Sequence, residues 1–139
     1  MAMINPDLCT EDEIRDMVHR FYDRIRGDAT LGPIFQAHIA AEAWPRHLAT
    51  MVDFWSSLLR GSARYSGTPM TKHAALPGLD AAHFLHWLAL FRDNAATLPN
   101  TAMAQRAVAL AERIARSLWF GYQTTRQPDR LAAELPLPT

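Results

Sequence analysis

The feature that most constrains this chain is the helical period of its apolar residues. Ile14, Met17, Val18, Phe21 and Ile25 recur at spacings of three and four, which places them on one face of an α-helix, with Tyr22 at the edge of the stripe. Thr10 and Glu13 have the spacing of a capping box and Gly27 supplies a stop, so the first helix is expected over residues 11–26. Leu48, Met51, Val52, Trp55, Leu58 and Leu59 predict a second helix over about residues 42–60, with Pro45 tolerated in the first turn and Gly61 at the end. Phe84, Trp87, Leu88 and Phe91 predict a third, capped by Asp80 and running to about Thr97. Met103, Ala107, Leu110, Ile114 and Leu118 predict a fourth over about residues 101–122. No stretch alternates polar and apolar residues long enough to read as a strand, so the expected fold class is all-α.

The connections carry their own signals. Gly32-Pro33 makes residues 28–35 a corner with room for a helical turn or two. The segment GSARYSGTPMTKHAALPG, residues 61–78, holds three glycines and two prolines and predicts a loop with one short helical turn around residues 72–76. Irregular connections of that length usually carry function. Residues 127–139, with three prolines, are expected as a flexible tail following a domain of residues 1–126.

Composition narrows the function. A chain of 139 residues has room for one domain with a sizeable core. Its 14 basic and 14 acidic residues leave no net charge, so nothing in it attracts nucleic acid or an anionic membrane. The lone Cys9 excludes an internal disulfide, a cysteine-rich metal site and the C-x-x-C-H attachment of a covalent haem. No apolar run approaches the ~20 residues of a membrane span, and MAMINPDLCTEDE is acidic where a signal peptide would be basic, so a cytoplasmic location is expected.

Enzyme signatures are missing. Gly27 and Gly32 have the spacing of a phosphate loop, but Pro33 stands where the lysine belongs, and none of the five glutamates opens the E-x-x-H of a di-iron bundle. Of the six histidines, His83 and His86 share a helix face without a third metal ligand nearby and read as flanking residues. His47 lies on the apolar face of its helix. Tyr22, His47 and Trp87 thus direct three polar tips into one apolar interior, where such groups demand partners. Phe21, Phe35, Phe54, Trp55, Phe84 and Phe91 join Tyr22 and Trp87 on inward faces or corners. From residues alone this is either a packed aromatic core or a cavity for a flat apolar cofactor.

The ordered set Phe21-Tyr22, Leu31-Gly-Pro-Ile-Phe35, Trp44, His47, Phe54-Trp55, Tyr65-x-Gly67-x-Pro69, Lys72-His73 and Phe84-x-x-Trp87-Leu-x-Leu-Phe91 resembles the truncated haemoglobins, and among them the third group. The likeness covers residues 11–122. It implies a two-over-two helical sandwich enclosing haem b, with His73 as the iron's proximal ligand. Tyr22, His47 and Trp87 match the family's distal residues, with Phe21 and Met51 beside them. Phe35, Phe54, Trp55, Met70 and Leu76 are the implied haem contacts. Lys72, Arg64, Tyr65 and Arg46 are available for the propionates, with Lys72 and Tyr65 the first choices. Pro45 and Met51 depart from the family's pattern at the start and distal edge of the second helix.

The resemblance further implies reversible binding of dioxygen or another diatomic ligand, carbon monoxide and nitric oxide included. Nitric oxide dioxygenation and peroxide chemistry are its possible enzymatic forms, with a reductase as partner. Phenol and indole donors in an apolar pocket stabilise a ligand that acquires negative charge, so slow oxygen release is expected, which favours oxygen transport in the family's sense over a bulk oxygen-storage role. The alternative from a different class is a haem-free helical interaction or sensory domain in which the histidines are structural.

Overall fold

A computed structural model describes residues 7–65 and 76–137. Its helices are α1 (Glu11–Arg26), α2 (Leu31–His38), a 3₁₀ turn (Ala41–Ala43), α3 (Trp44–Arg60), α4 (Ala81–Ala95) and α5 (Thr101–Arg126). There is no strand among the described residues. Helix α1 packs on α3, α4 pairs with α5, and the contact of α1 with α4 joins the two pairs into a sandwich.

Local chemistry accounts for most boundaries. The capping box of α1 is present, with Glu13 N–H donating to Thr10 Oγ1 at 3.1 Å and Thr10 N–H donating to Glu13 Oε1 at 2.9 Å. Acidic residues fill the first turn and Arg24 and Arg26 the last, each sign complementing the helix dipole. Gly61 ends α3 with φ +71°, a left-handed conformation that costs glycine little. At α4, Asp80 caps the helix and the reciprocal acceptor is the Nδ1 of His83, 3.0 Å from Asp80 N, in the place usually taken by Glu or Gln.

Three expectations need adjusting. The corner holds a full helix, α2, whose first turn is secured by the Asp28 carboxylate accepting from Leu31 N at 2.8 Å and Thr30 N at 3.0 Å. The single helix expected from residue 42 divides into the 3₁₀ turn and α3, with Pro45 in the first α-helical turn, where its missing N–H costs nothing. Helix α5 extends beyond Tyr122 to Arg126. The segment after it lacks regular structure, as its prolines imply, but it is docked. Gln123 donates from Nε2 to Ala133 O at 2.8 Å and accepts from Ala133 N at 2.9 Å, and Leu135 is buried.

The core runs through both helix pairs, and its buried polar groups sit at the crossings. Asn94 of α4 donates to Met17 O of α1 at 3.0 Å. Ser56 of α3 donates to Glu11 at 2.7 Å, and Arg60 pairs with the same carboxylate at 2.9 Å while also donating to Cys9 O. Such partners are what buried polar groups require to be tolerated. No helix among the described residues is long and apolar enough to cross a membrane.

Candidate functional site

The inward stripe of α1 carries the neighbours Phe21 and Tyr22, and three other helices meet there. The Tyr22 ring lies 5.0 Å from the His47 ring of α3 at an interplanar angle of 88°. Phe35 of α2 stands 6.1 Å from Tyr22, edge to face. Phe21 presents edges to Tyr22 at 5.3 Å, Trp87 at 5.4 Å and Phe91 at 5.0 Å. Phe91 is in turn stacked between Trp55 at 5.1 Å and Trp87 at 5.6 Å, both at 23°. Edge-to-face and offset geometries of this kind suit the quadrupoles of aromatic rings. Four helices thus bring a phenol, an imidazole and an indole to one apolar region.

Burial sets the chemistry of that region. Tyr22 is buried, and this alone pushes its hydroxyl above the ordinary phenol range, so at neutral pH it is a protonated donor. The Nε2 atom of His47 is buried, although its ring is half-covered overall. Trp87 is half-buried, more open than an internal indole was expected to be. Met51, one turn beyond His47, and Phe54 are half-buried against the core. Flat apolar walls with a few N–H and O–H groups are the chemistry that would suit a haem binding a small polar ligand.

The remaining expected contacts divide. Tyr65 is held by its N–H donating to Ser57 Oγ at 3.0 Å and by its ring against Phe54 at 5.0 Å. Leu76 packs against the core, and its carbonyl accepts from the Tyr122 hydroxyl at 2.8 Å. Arg46 is exposed on the first turns of α3. Met70, Lys72 and His73 lie outside the described residues. Arg64 pairs with Glu11 at 2.7 Å and Asp53 at 3.0 Å. The hydrogen bond from Arg64 is also the main reason the Glu11 carboxyl lies below the usual range.

His83 and His86 do not form a metal pair. His83 caps α4, while His86 Nε2 sits 2.8 Å and 2.9 Å from the two oxygens of Asp28. No cluster of three metal-ligating side chains occurs among the described residues.

The residue with no role assigned from sequence is Trp44. It is buried beside His47 at 5.4 Å, Tyr22 at 6.0 Å and Phe35 at 6.5 Å, with the Arg26 guanidinium 4.4 Å over its ring. Its position three residues before His47 was the available signal, since i and i+3 share a helix face.

Two helix pairs crossed into a sandwich around an aromatic cluster define a globin of the short, two-over-two kind. The chain matches the bacterial-like globin family over residues 7–118 and belongs to it. It is 34% identical over 107 residues to the group 3 truncated hemoglobin ctb of Campylobacter jejuni, covering 76% of this chain and 84% of that one. The crystal structure of group III truncated hemoglobin from Campylobacter jejuni superposes with a TM-score of 0.74 at 31% identity, over 84% of this chain and 92% of that chain. Globins bind haem iron, usually as haem b, together with small diatomic ligands such as oxygen, and haem is accordingly the cofactor here.

Proposed function

We propose that this globin reversibly binds dioxygen or another diatomic ligand at an iron held by His73, with Tyr22, Trp87 and His47 as the distal polar groups. The observation that carries the reading is the perpendicular contact of the Tyr22 and His47 rings at 5.0 Å, inside an aromatic shell that keeps the phenol protonated. Haem, held by His73, would supply the iron that binds the gas, and a gas bound in this way would carry partial negative charge.

The Tyr22 hydroxyl donates to that negative charge. Water is excluded around it, so the hydrogen bond is stronger than in solvent. Trp87 offers its indole N–H from the α4 side, and His47 offers either a donor or an acceptor according to its tautomer. Phe35, Phe21, Met51, Phe54 and Trp55 provide apolar cover on the distal side, and Met70 and Leu76 are the candidates for the proximal side. Lys72, Tyr65 and Arg46 are the candidates to hold the propionates, where a cation or hydroxyl would offset carboxylate charge. Removal of nitric oxide or peroxide is the enzymatic extension of the same site, because donors that favour charge on a bound ligand also favour charge on a departing oxygen. That extension requires a reductase or another electron donor.

The test begins with absorption spectra of the ferric, dithionite-reduced and carbon monoxide-treated protein, at one haem per chain. A Soret band that shifts with carbon monoxide supports the reading, and a protein that stays colourless after haemin addition defeats it. His73→Ala should abolish the native ferrous spectrum. Tyr22→Phe and Trp87→Phe should each speed oxygen dissociation roughly ten- to a hundredfold, the equivalent of about 1.5–3 kcal/mol for one charge-assisted donor. Unchanged rates in both variants would remove the distal assignment.

A further inference from the structure

We propose that Arg26 and Trp44 form the positioning element of the distal site: the guanidinium clamps the indole, and the indole holds His47 against Tyr22. The inference rests on the reading of His47 as a distal residue.

Four observations converge. Trp44 is among the most buried of the large side chains, yet it stands at the very first position of α3, where helices ordinarily fray. Its ring meets His47 at 89°, and His47 meets Tyr22 at 88°, so the imidazole is flanked on two sides by perpendicular aromatic rings. Trp44 also touches Tyr22 directly at 6.0 Å and is stacked at 30° on Phe35, which closes the cluster on the α2 side. The outer face of the indole is covered by Arg26, the last residue of α1, at 4.4 Å. A guanidinium over an indole face is the strongest common form of cation–π contact.

The consequence is mechanical. No side-chain cap secures the start of α3, since Ala43 occupies the N-cap position. The Arg26–Trp44 contact therefore ties the beginning of the helix that bears His47 to the end of the helix that bears Tyr22. Two rings that must face one small ligand are referred to the same indole. Loosening the clamp increases the fraction of molecules in which His47 has turned away, and leaves the donor inventory of the pocket unchanged.

The test uses the haem-loaded ferrous carbon monoxide complex and reads the infrared carbon–oxygen stretching bands, whose positions report the polar groups facing the ligand. His47→Ala defines the band of molecules lacking the imidazole. Arg26→Gln, at an exposed position where folding is not threatened, should raise the weight of that band about two- to fivefold, the equivalent of an exposed cation–π contact. Arg26→Lys, which keeps the cation, should restore most of the original distribution, and Trp44→Leu should exceed Arg26→Gln. The proposal is overturned when His47→Ala moves the bands and Arg26→Gln leaves them as in the parent protein. When His47→Ala itself moves nothing, His47 does not face the ligand, and the proposal falls together with the distal reading on which it rests.

Discussion

Replacing Tyr122 by Phe isolates one oxygen atom that ties two ends of the fold together. The Tyr122 hydroxyl donates to Leu76 O at 2.8 Å and accepts from Leu79 N at 3.0 Å. Between those residues lie Pro77 and Gly78, the latter at φ +75°, the residue order and sign expected of a type II turn. Phenylalanine keeps the ring, which stacks on Trp119 at 6.1 Å, so no cavity is created. The cost is then one hydrogen bond to a half-buried carbonyl that water can reach, about 0.5–1 kcal/mol, and one to the N–H of buried Leu79, about 1–3 kcal/mol when left unmatched. A total of about 1.5–4 kcal/mol, with a urea m value near 2 kcal/mol/M, lowers the denaturation midpoint by about 0.75–2 M at unchanged m. Because Leu79 immediately precedes the Asp80 cap of α4, the loss falls on the helix that delivers Trp87 and Phe91. Urea unfolding followed by circular dichroism, on haem-free and haem-loaded protein, reads the midpoint. A shift smaller than about 0.2 M in both forms would refute the reasoning, since it would mean that water replaces the phenol without loss.

Other substitutions probe separate joints. A Cβ at Gly32 would lie 2.8 Å from Arg26 O and 3.3 Å from Ile25 O, both backbone atoms, so Gly32→Ala should displace α2 and cost about 1–3 kcal/mol in thermal or urea unfolding. Gly27→Ala meets nothing nearer than 3.6 Å and should be close to neutral in the same assay. Asp28 is held below its ordinary range chiefly by the Leu31 N–H, with His86 and the Thr30 N–H adding to it. Its contribution is therefore complete above the unfolded value near 3.8 and is lost as pH falls through the lowered folded value, so Asp28→Asn should flatten the acid side of the stability–pH curve. Gln123→Ala removes both hydrogen bonds to Ala133 and should make residues 127–137 a faster target for limited proteolysis. Unchanged cleavage would assign the docking to Leu135 instead.

The legible part of the fold is the part governed by neighbours in the chain. Thr10 with Glu13, Asp80 at the head of α4, Gly61 after α3 and the apolar period of α1 each concern residues within a few positions, and each appears in the structure. Tyr22 and His47 come together as expected, because both stand on the buried faces of helices whose phase is written in their apolar residues. The extra length of α2 and of α5 was not legible: Gly32-Pro33 in the one and Thr124-Thr125 in the other weaken local helix propensity, and packing overrides them.

What the sequence determined by itself is the helical class, the start and stop of most helices, and which aromatic and polar side chains lie on the inward faces. Tertiary structure alone decided which equivalent groups are used and which are occupied elsewhere. Arg64 has the same charge as Lys72 and Arg46, and only the approach of α1 to α3 assigns it to Glu11 and Asp53. His86 resembled a surface or metal-binding histidine until α4 brought it to Asp28, 58 residues away. Trp44 read as one more aromatic until the end of α1 laid Arg26 across it. The physical reason is common to all three: spacing along a helix tells which face a side chain occupies, whereas its partner is chosen by where another helix happens to end.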